Sequence, residues 1–494
     1  MLNMTVIIEQ IRRAGTDMSD IFNDLIKEYK PIHDHMISNY QRYKASSAPD
    51  GVPVFSRKFD DPNKKNRKLN DAFDVDIIDV KLGYMLGNPI IYGYDRDLYT
   101  KDNVFDTDRY KLDFGVLADF NLANNSEDID GETLKMAAIC GYGSRLLYIN
   151  QQGEARIMNV NPWECIFISD GSLNEAQYAM RYYDMIDDGK KRIYIEWYDE
   201  RNISYYISSE DTANSTKEAK IRFVPYDKNG VSVQAHMFNG IPLIQFDNNE
   251  EHQGDCDKVY SLIDAYDAAL SDVSSELEQF RLAYMAFYGM VPDSETMENA
   301  KRTGAFGLPD PEARVEFITK ELNDVIIENH LKRLEDNIYR FAKSVNFKDE
   351  AFGGNVSGIA MKFKMFGLES KCVTSERKFT AALRTQYKIL ATALAFKGSK
   401  VDCLNMTFTW TRNFPLNLLD EADTTVKLKG LVSEKTRLGL LSFIDDPEKE
   451  IAQMELENAL LPDLEEPQMD EFGNPIVKEQ PGFMKKGPTD VNPV

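Results

Sequence analysis

The sequence predicts an α+β fold. Three observations carry that prediction. From about Asp255 to Lys397, apolar residues recur at steps of three and four over three long stretches. Between Pro89 and Phe246 the period shortens to two. After the helices, Val401–Thr411 alternates again, which implies a return to the earlier sheet region.

Taken in order, residues 1 to about 45 are helical in pattern, with Ile21, Phe22, Leu25, Ile26 and Tyr29 on one face. Pro31 is expected to end or kink that helix, because it removes a backbone donor. A polar loop follows to Asn63. Asn70–Leu86 reads as a helix stopped by Gly87-Asn88-Pro89. Strands are predicted at Ile90–Tyr94, Arg145–Asn150, Ala155–Val160, Cys165–Ile168, Ala176–Tyr183, Arg192–Tyr198, Ile203–Ile207, Ile221–Val224, Val231–Met237 and Leu243–Phe246. Gln151-Gln152-Gly153 forms the turn of one hairpin, and a helix is predicted at about Thr133–Gly141.

The first long helix covers about Cys256–Arg281, with Val259, Leu262, Ile263, Tyr266, Leu270, Val273, Leu277 and Phe280 as its apolar stripe. At 1.5 Å per residue it spans roughly 39 Å, long for a helix buried in its own small core. A second covers about Leu322–Val345, with Val325, Ile326, Leu331, Leu334, Ile338, Phe341 and Val345 on one face. A third starts after Ser357-Gly358 and runs to about Leu394 without proline. Leu404, Met406, Phe408 and Trp410 share one face of the returning strand, and Leu416–Leu461 is helical again. The tail from Pro462, rich in proline and acids, reads as disordered or as an interaction tail.

The chain has 494 residues, a net charge of -23 and 43% hydrophobic residues. That length suggests about three domains. An acidic chain is not the profile of a tight nucleic-acid binder, since phosphates are neutralised by Lys and Arg; the charge implies a soluble, self-repelling surface. Five separated cysteines without a CxxC pair argue against a disulfide framework or zinc site and fit free thiols in a reducing cytoplasm. The N-terminus lacks a secretory signal pattern, and no apolar run is long enough to span a membrane.

No catalytic constellation emerges. His33 and His35 would point about 200° apart on a helix and so would not share a metal. Gly141-Tyr142-Gly143 precedes a strand, whereas a phosphate loop opens a helix. No nucleophile-elbow, zinc-protease or P-loop motif occurs, so neither catalytic residue, metal nor cofactor is assigned.

Four segments, taken in order, resemble one family. They are Asp79-Val80-Lys81-Leu82-Gly83-Tyr84-Met85-Leu86-Gly87-Asn88-Pro89-Ile90; Gly240–Glu251 with Gly254-Asp255; Ser357-Gly358-Ile359-Ala360-Met361-Lys362-Phe363-Lys364; and Phe408-Thr409-Trp410-Thr411-Arg412-Asn413-Phe414-Pro415. Together they resemble the portal proteins of long-tailed double-stranded DNA bacteriophages, across roughly residues 1 to 460. The resemblance implies a portal fold: N-terminal helices and β-rich wing at 1–255, stem helices at 256–281 and 322–345, a small α/β clip at 282–321, a tunnel loop at 346–356, a long wing helix at 357–398, a return strand at 399–416, a helical crown at 417–461 and the tail at 462–494. It implies a homo-oligomeric ring, usually of 12 subunits, at one capsid vertex of the virion, made in the bacterial host cytoplasm. Double-stranded DNA would pass its channel without sequence specificity. The partners implied are the terminase large subunit, a head–tail connector or adaptor, and the major capsid and scaffolding proteins, with no membrane.

On that reading the DNA-facing tunnel loop contains Asn346, Phe347, Lys348, Asp349, Glu350, Phe352, Gly353, Gly354 and Asn355, with Lys348 and Asn355 nearest to phosphate; the alternative is a loop packed by its two phenylalanines. The acids Asp264, Asp267, Asp272 and Glu276, and the bases Lys332, Arg340 and Lys343, are the channel-lining candidates. For the acids, the alternative is a solvated helix face. Two other readings of the whole chain stay open: an oligomeric capsid or connector component without DNA contact, and a cytoplasmic enzyme with its site in the β-rich region.

Overall fold

Asp17 starts the first helix by accepting the Ser19 N–H at 2.9 Å. The structure, a computed structural model, describes residues 7–9, 11, 13, 17–58, 65–101, 104–169, 176–210, 212, 220–228, 230–289 except 281–283, 291–305, 313–318, 324–347, 358–399, 401–413, 418–441, 444 and 447–460. Helix α1, Met18–Tyr43, passes through Pro31 without ending, against expectation. Contacts on both sides of the proline hold it. Before it, Ser19 and Asn23 bond the backbone of Phe223 and Ile221; after it, Met36, Asn39 and Arg42 are buried. Tertiary packing outweighs one lost backbone bond.

A single turn, α2 (Pro53–Ser56), lies within the expected loop, and α3 covers Phe73–Leu86. Its buried Phe73, Ile77, Ile78, Lys81 and Met85 follow helical spacing. Next come β1 (Ile91–Tyr94), the short pair β2 (Thr100–Lys101) and β3 (Val104–Phe105), and two helices, α4 (Thr107–Ala123) and α5 (Ser126–Cys140). The sequence reading missed α4 entirely and began α5 late. Among described residues α4 fully buries only Leu117 and Phe120, too few positions to produce a clear helical stripe.

The β-rich region forms two antiparallel sheets. β4 (Tyr142–Ile149) is central between β5 (Ala155–Val160) and β12 (Leu243–Asp247). Gly153, at φ 77°, makes the β4–β5 turn, a conformation that favours glycine. The second sheet has the order β10-β9-β8-β7-β6, with β11 also on β9: β6 Cys165–Ile168, β7 Tyr178–Asp187, β8 Lys190–Tyr198, β9 Asn202–Ser208, β10 Phe223–Pro225 and β11 Val233–Ala235. Its inner face packs on α1 through Phe22, Leu25, Ile195 and Trp197.

Helices α6 (Tyr260–Phe280) and α8 (Asp324–Ala342) form a hairpin. Their 21 and 19 residues give about 31 and 28 Å, shorter than the sequence suggests. Between them lie an antiparallel pair, β13 (Tyr284–Tyr288) and β14 (Arg314–Ile318), and α7 (Ser294–Thr303). Helix α9, Gly358–Phe396, has 39 residues and supplies much of the largest core cluster. The return strand β15 is only Met406–Thr409, antiparallel to β1. Leu404 is 89% exposed in a turn before it, so it does not share the face of Met406, which is buried.

The chain divides into two units, Met1–Phe414 and Pro415–Val494. In the second, α10 (Leu418–Lys427), α11 (Glu434–Leu438) and α12 (Pro447–Leu460) are described. Ser433 caps α11 by accepting the Thr436 N–H at 3.3 Å, and Lys435 pairs with Glu448 on α12.

Candidate functional site at the base of the helical hairpin

The hairpin is buried at one end and exposed at the other. At its base, Val259, Ile263, Ile338 and Ala342 pack with Phe73, Ile77 and Ile139. Far from the base, Val325 is 67% exposed. The buried stripe of α8 is Leu334, Ile338 and Ala342. Phe341, placed on that stripe by the sequence reading, is instead 56% exposed. Opposite the buried stripe, at 100° per residue, run Lys332, Asp336 and Arg340, all exposed; Lys343, also exposed, lies just past the helix end at φ 52°.

The acids of α6 have partners that the sequence could not show. Residues 65–72 run beside α6. Arg67 N–H and Leu69 N–H donate to Ser275 Oγ and Ser271 Oγ, each at 2.9 Å, and Asp71 N–H donates to Asp267 Oδ1 at 3.0 Å. The registers match because alternate residues of an extended chain advance about 6.6 Å and four helical residues about 6.0 Å. Arg42 pairs with Asp264 at 2.7 Å and stacks over Tyr260; Arg57 pairs with Asp272, and Arg67 with Glu278. Glu276 is half-buried on the same helix. Asp267 corrects the expectation of a channel-facing carboxylate: its side chain is fully buried and its Oδ2 has no hydrogen-bond partner. Burial, with the charges of Asp74, Asp71 and Asp264, pushes its pKa up to about 6 against the Asp71 N–H bond.

Three of the four segments that carry the family resemblance converge on α9. Lys81 is buried and donates to Asn248 Oδ1 at 2.6 Å and Ser375 Oγ at 2.8 Å. It lies 3.2 Å from Asp255 Oδ2, and Lys371 approaches the same oxygen at 3.5 Å while donating to Ala342 O at 3.0 Å. Burial works to raise the Asp255 pKa, but Lys371, Lys81 and the Asn248 amide outweigh it and leave the carboxyl below its usual range. One carboxylate therefore ties α3, α9 and the end of α8 to the start of α6. Gly254 belongs here because a Cβ would come 2.4 Å from Ile139 O. A second knot lies along α9. Arg412 forks onto Glu369 at 3.0 and 3.1 Å and reaches Glu376 at 2.7 Å, while Tyr84 O–H donates to Glu369 at 2.8 Å. Asn413 N–H donates to Tyr84 O, and Gly87 leaves room for the Asn413 side chain, which a Cβ would meet at 2.1 Å. Of the Ser357–Lys364 segment, Lys362, Phe363 and Lys364 have described side chains, all exposed.

The polypeptide beyond α8 begins with Asn346, whose amide donates to Glu335 at 2.7 Å, and Phe347, which is 52% exposed. Lys348, Asp349, Glu350, Phe352, Gly353, Gly354 and Asn355 lie outside the described residues. Among described residues no group of three or more His, Cys, Asp or Glu is placed to hold a metal, and no described helix is long and apolar enough to cross a membrane.

The family model of phage portal proteins of the SPP1 Gp6-like type matches residues 23–459, a span that includes α6, α8, α9 and both knots. The chain belongs to the phage portal protein family. Among curated relatives, the portal protein of Bacillus phage SPP1 is 24% identical over 476 residues, covering 92% of this chain and 89% of that protein. The portal protein of Clostridium phage phiCD119 is 25% identical over 429 residues, covering 83% and 89%.

Proposed function

We propose that this portal chain assembles as a ring of twelve copies at one vertex of the virion capsid and that its axial channel passes double-stranded DNA during packaging and ejection. The observation that carries the reading is the family match, continuous from α1 to α12. The chain acts structurally, and chemical energy for packaging comes from a separate terminase large subunit. The β13–α7–β14 segment is the docking end for that terminase and then for the head–tail connector; major capsid and scaffolding proteins surround the ring. The hairpin is the stem, and residues 346–356 form the tunnel loop.

The pairing pattern supports a choice of channel wall. Asp264 and Asp272 are occupied by Arg42 and Arg57, so the acids of α6 present little free charge. The outward face of α8 with Lys332 and Arg340, Asp336 between them and Lys343 just past the helix end, is the better wall, with weak, screened attraction to phosphate over about 8 Å at physiological salt. Immunogold labelling of virions tests the placement: label at a single vertex is expected, and label spread over the capsid contradicts it. For the loop, Lys348→Glu is expected to slow DNA packaging and to change its salt dependence; unchanged packaging across salt concentrations removes Lys348 from the DNA-facing set.

A further inference from the structure

Two exposed stripes on different helices around the largest core cluster have complementary chemistry. On α4, Asp108, Leu112, Gly115, Asp119 and Leu122 recur at steps of four and three and so share one face. Leu112 is 77% and Leu122 80% exposed, unusual for large apolar residues on a helix packed into a core. Just beyond, Glu127 and Asp128 extend the acidic surface onto the first turn of α5. On α9, Phe363, Phe366, Thr374, Arg377, Ala381 and Arg384 also follow helical steps and are all exposed, Phe363 by 77% and Phe366 by 71%.

The charge of α9 runs against the rest of the chain. It carries five lysines and two arginines against Glu369 and Glu376 alone, in a chain of net charge -23. Both of those acids are taken by Arg412, so the solvent stripe is basic. The two helices meet inside the core, where Phe120 of α4 and Tyr387 of α9 lie 6.3 Å apart between ring centroids and Tyr387 O–H donates to Asn121 at 2.6 Å, while both stripes lie outside it. A basic, phenylalanine-bearing face on α9 is thus matched by a leucine-bearing face on α4 that carries Asp108 and Asp119 beside Lys111.

We infer that the α9 stripe of one copy docks on the α4 stripe of the next, forming a head-to-tail contact of the ring. This rests on the ring reading above. Heterologous contacts close a ring by joining two different patches of each subunit. Copies of net charge -23 repel unless they meet through opposite-signed patches. Nucleic acid fits the α9 face less well: phosphate would engage Arg377 and Arg384 but leave Phe363 and Phe366 uncovered.

The test uses the purified full-length protein and counts rings by negative-stain imaging at about 0.15 M salt. Asp108→Lys with Asp119→Lys, and separately Arg377→Glu with Arg384→Glu, are each expected to lower the ring fraction at least about tenfold, since like charges then face each other across the contact. The protein carrying all four reversals is expected to recover rings. Leu112→Ser with Leu122→Ser alters side chains that lie in solvent in the subunit, so folding is retained while assembly shifts to higher protein concentration. Circular dichroism verifies the fold of each variant. Wild-type ring levels for the Arg377/Arg384 pair, with or without a packaging defect, overturn the inference and leave the ring reading standing, as does a four-fold variant no better than either pair. An unchanged concentration dependence for the leucine pair also overturns it. Absence of rings from the unmodified protein overturns both.

Discussion

Asp267 shows how much one residue's setting changes its meaning. In the sequence it is one of several acids on a long helix. In the fold it is a buried carboxyl with one oxygen held by Asp71 N–H and the other unpartnered. Its pKa rises from 3.8 to about 6, so between those values the folded chain holds more protons than the unfolded one. Stability is therefore greatest below about pH 4 for this group and is lost as the pH rises through about 6. Asp267→Asn is expected to stabilise the fold at pH 8 by on the order of 2 kcal/mol, read as a higher melting temperature, and to change little at pH 4; an equal effect at both pH values contradicts the assignment. Asp255 is the opposite case. It serves buried Lys81 and half-buried Lys371, so Asp255→Asn strands Lys81 without a counter-ion and is expected to cost about 3–5 kcal/mol. Lys81→Met leaves Asp255 with Lys371 and is expected to cost clearly less. Thermal unfolding of both variants measures the order, and a reversed order contradicts the knot.

Local pattern and long-range pairing separate clearly at the scale of elements. Helices α3, α6, α8 and α9 and the β4–β5 hairpin were legible because each repeats an apolar or turn signal along its own length. Helix α4 was not, since its outward leucines and inward residues blur its period. Pro31 misled for the reverse reason: its local preference is real, but packing on both sides overrides it. The partners of the α6 acids were illegible, because Arg42, Arg57 and Arg67 lie more than two hundred residues upstream. The serines at 271 and 275, one turn apart, were a usable signal that a polar strand lies along that helix. Ser271→Ala with Ser275→Ala removes the acceptors for Leu69 and Arg67 N–H, at about 1–3 kcal/mol for each backbone group left unpaired. Faster tryptic cleavage at Arg67 and Lys68 is expected, with α6 intact; an unchanged rate contradicts the stitching.

The whole molecule has knots where the sequence showed only motifs. Segments that resemble portal proteins are far apart in the chain, yet Lys81, Tyr84, Asp255 and Arg412 meet around α9 and fix the base of the hairpin. That placement was not readable from spacing, since it depends on strand β15 pairing with β1 some three hundred residues earlier. The resemblance supplied the order of parts; the contacts supply the reason those residue types occupy those positions. The central claim concerns many copies of the chain, and the mass of the purified, full-length assembly tests it most directly. Twelve copies of 56.5 kDa predict particles of roughly 0.7 MDa. Only monomers and dimers, across the full accessible range of protein concentration, would contradict it.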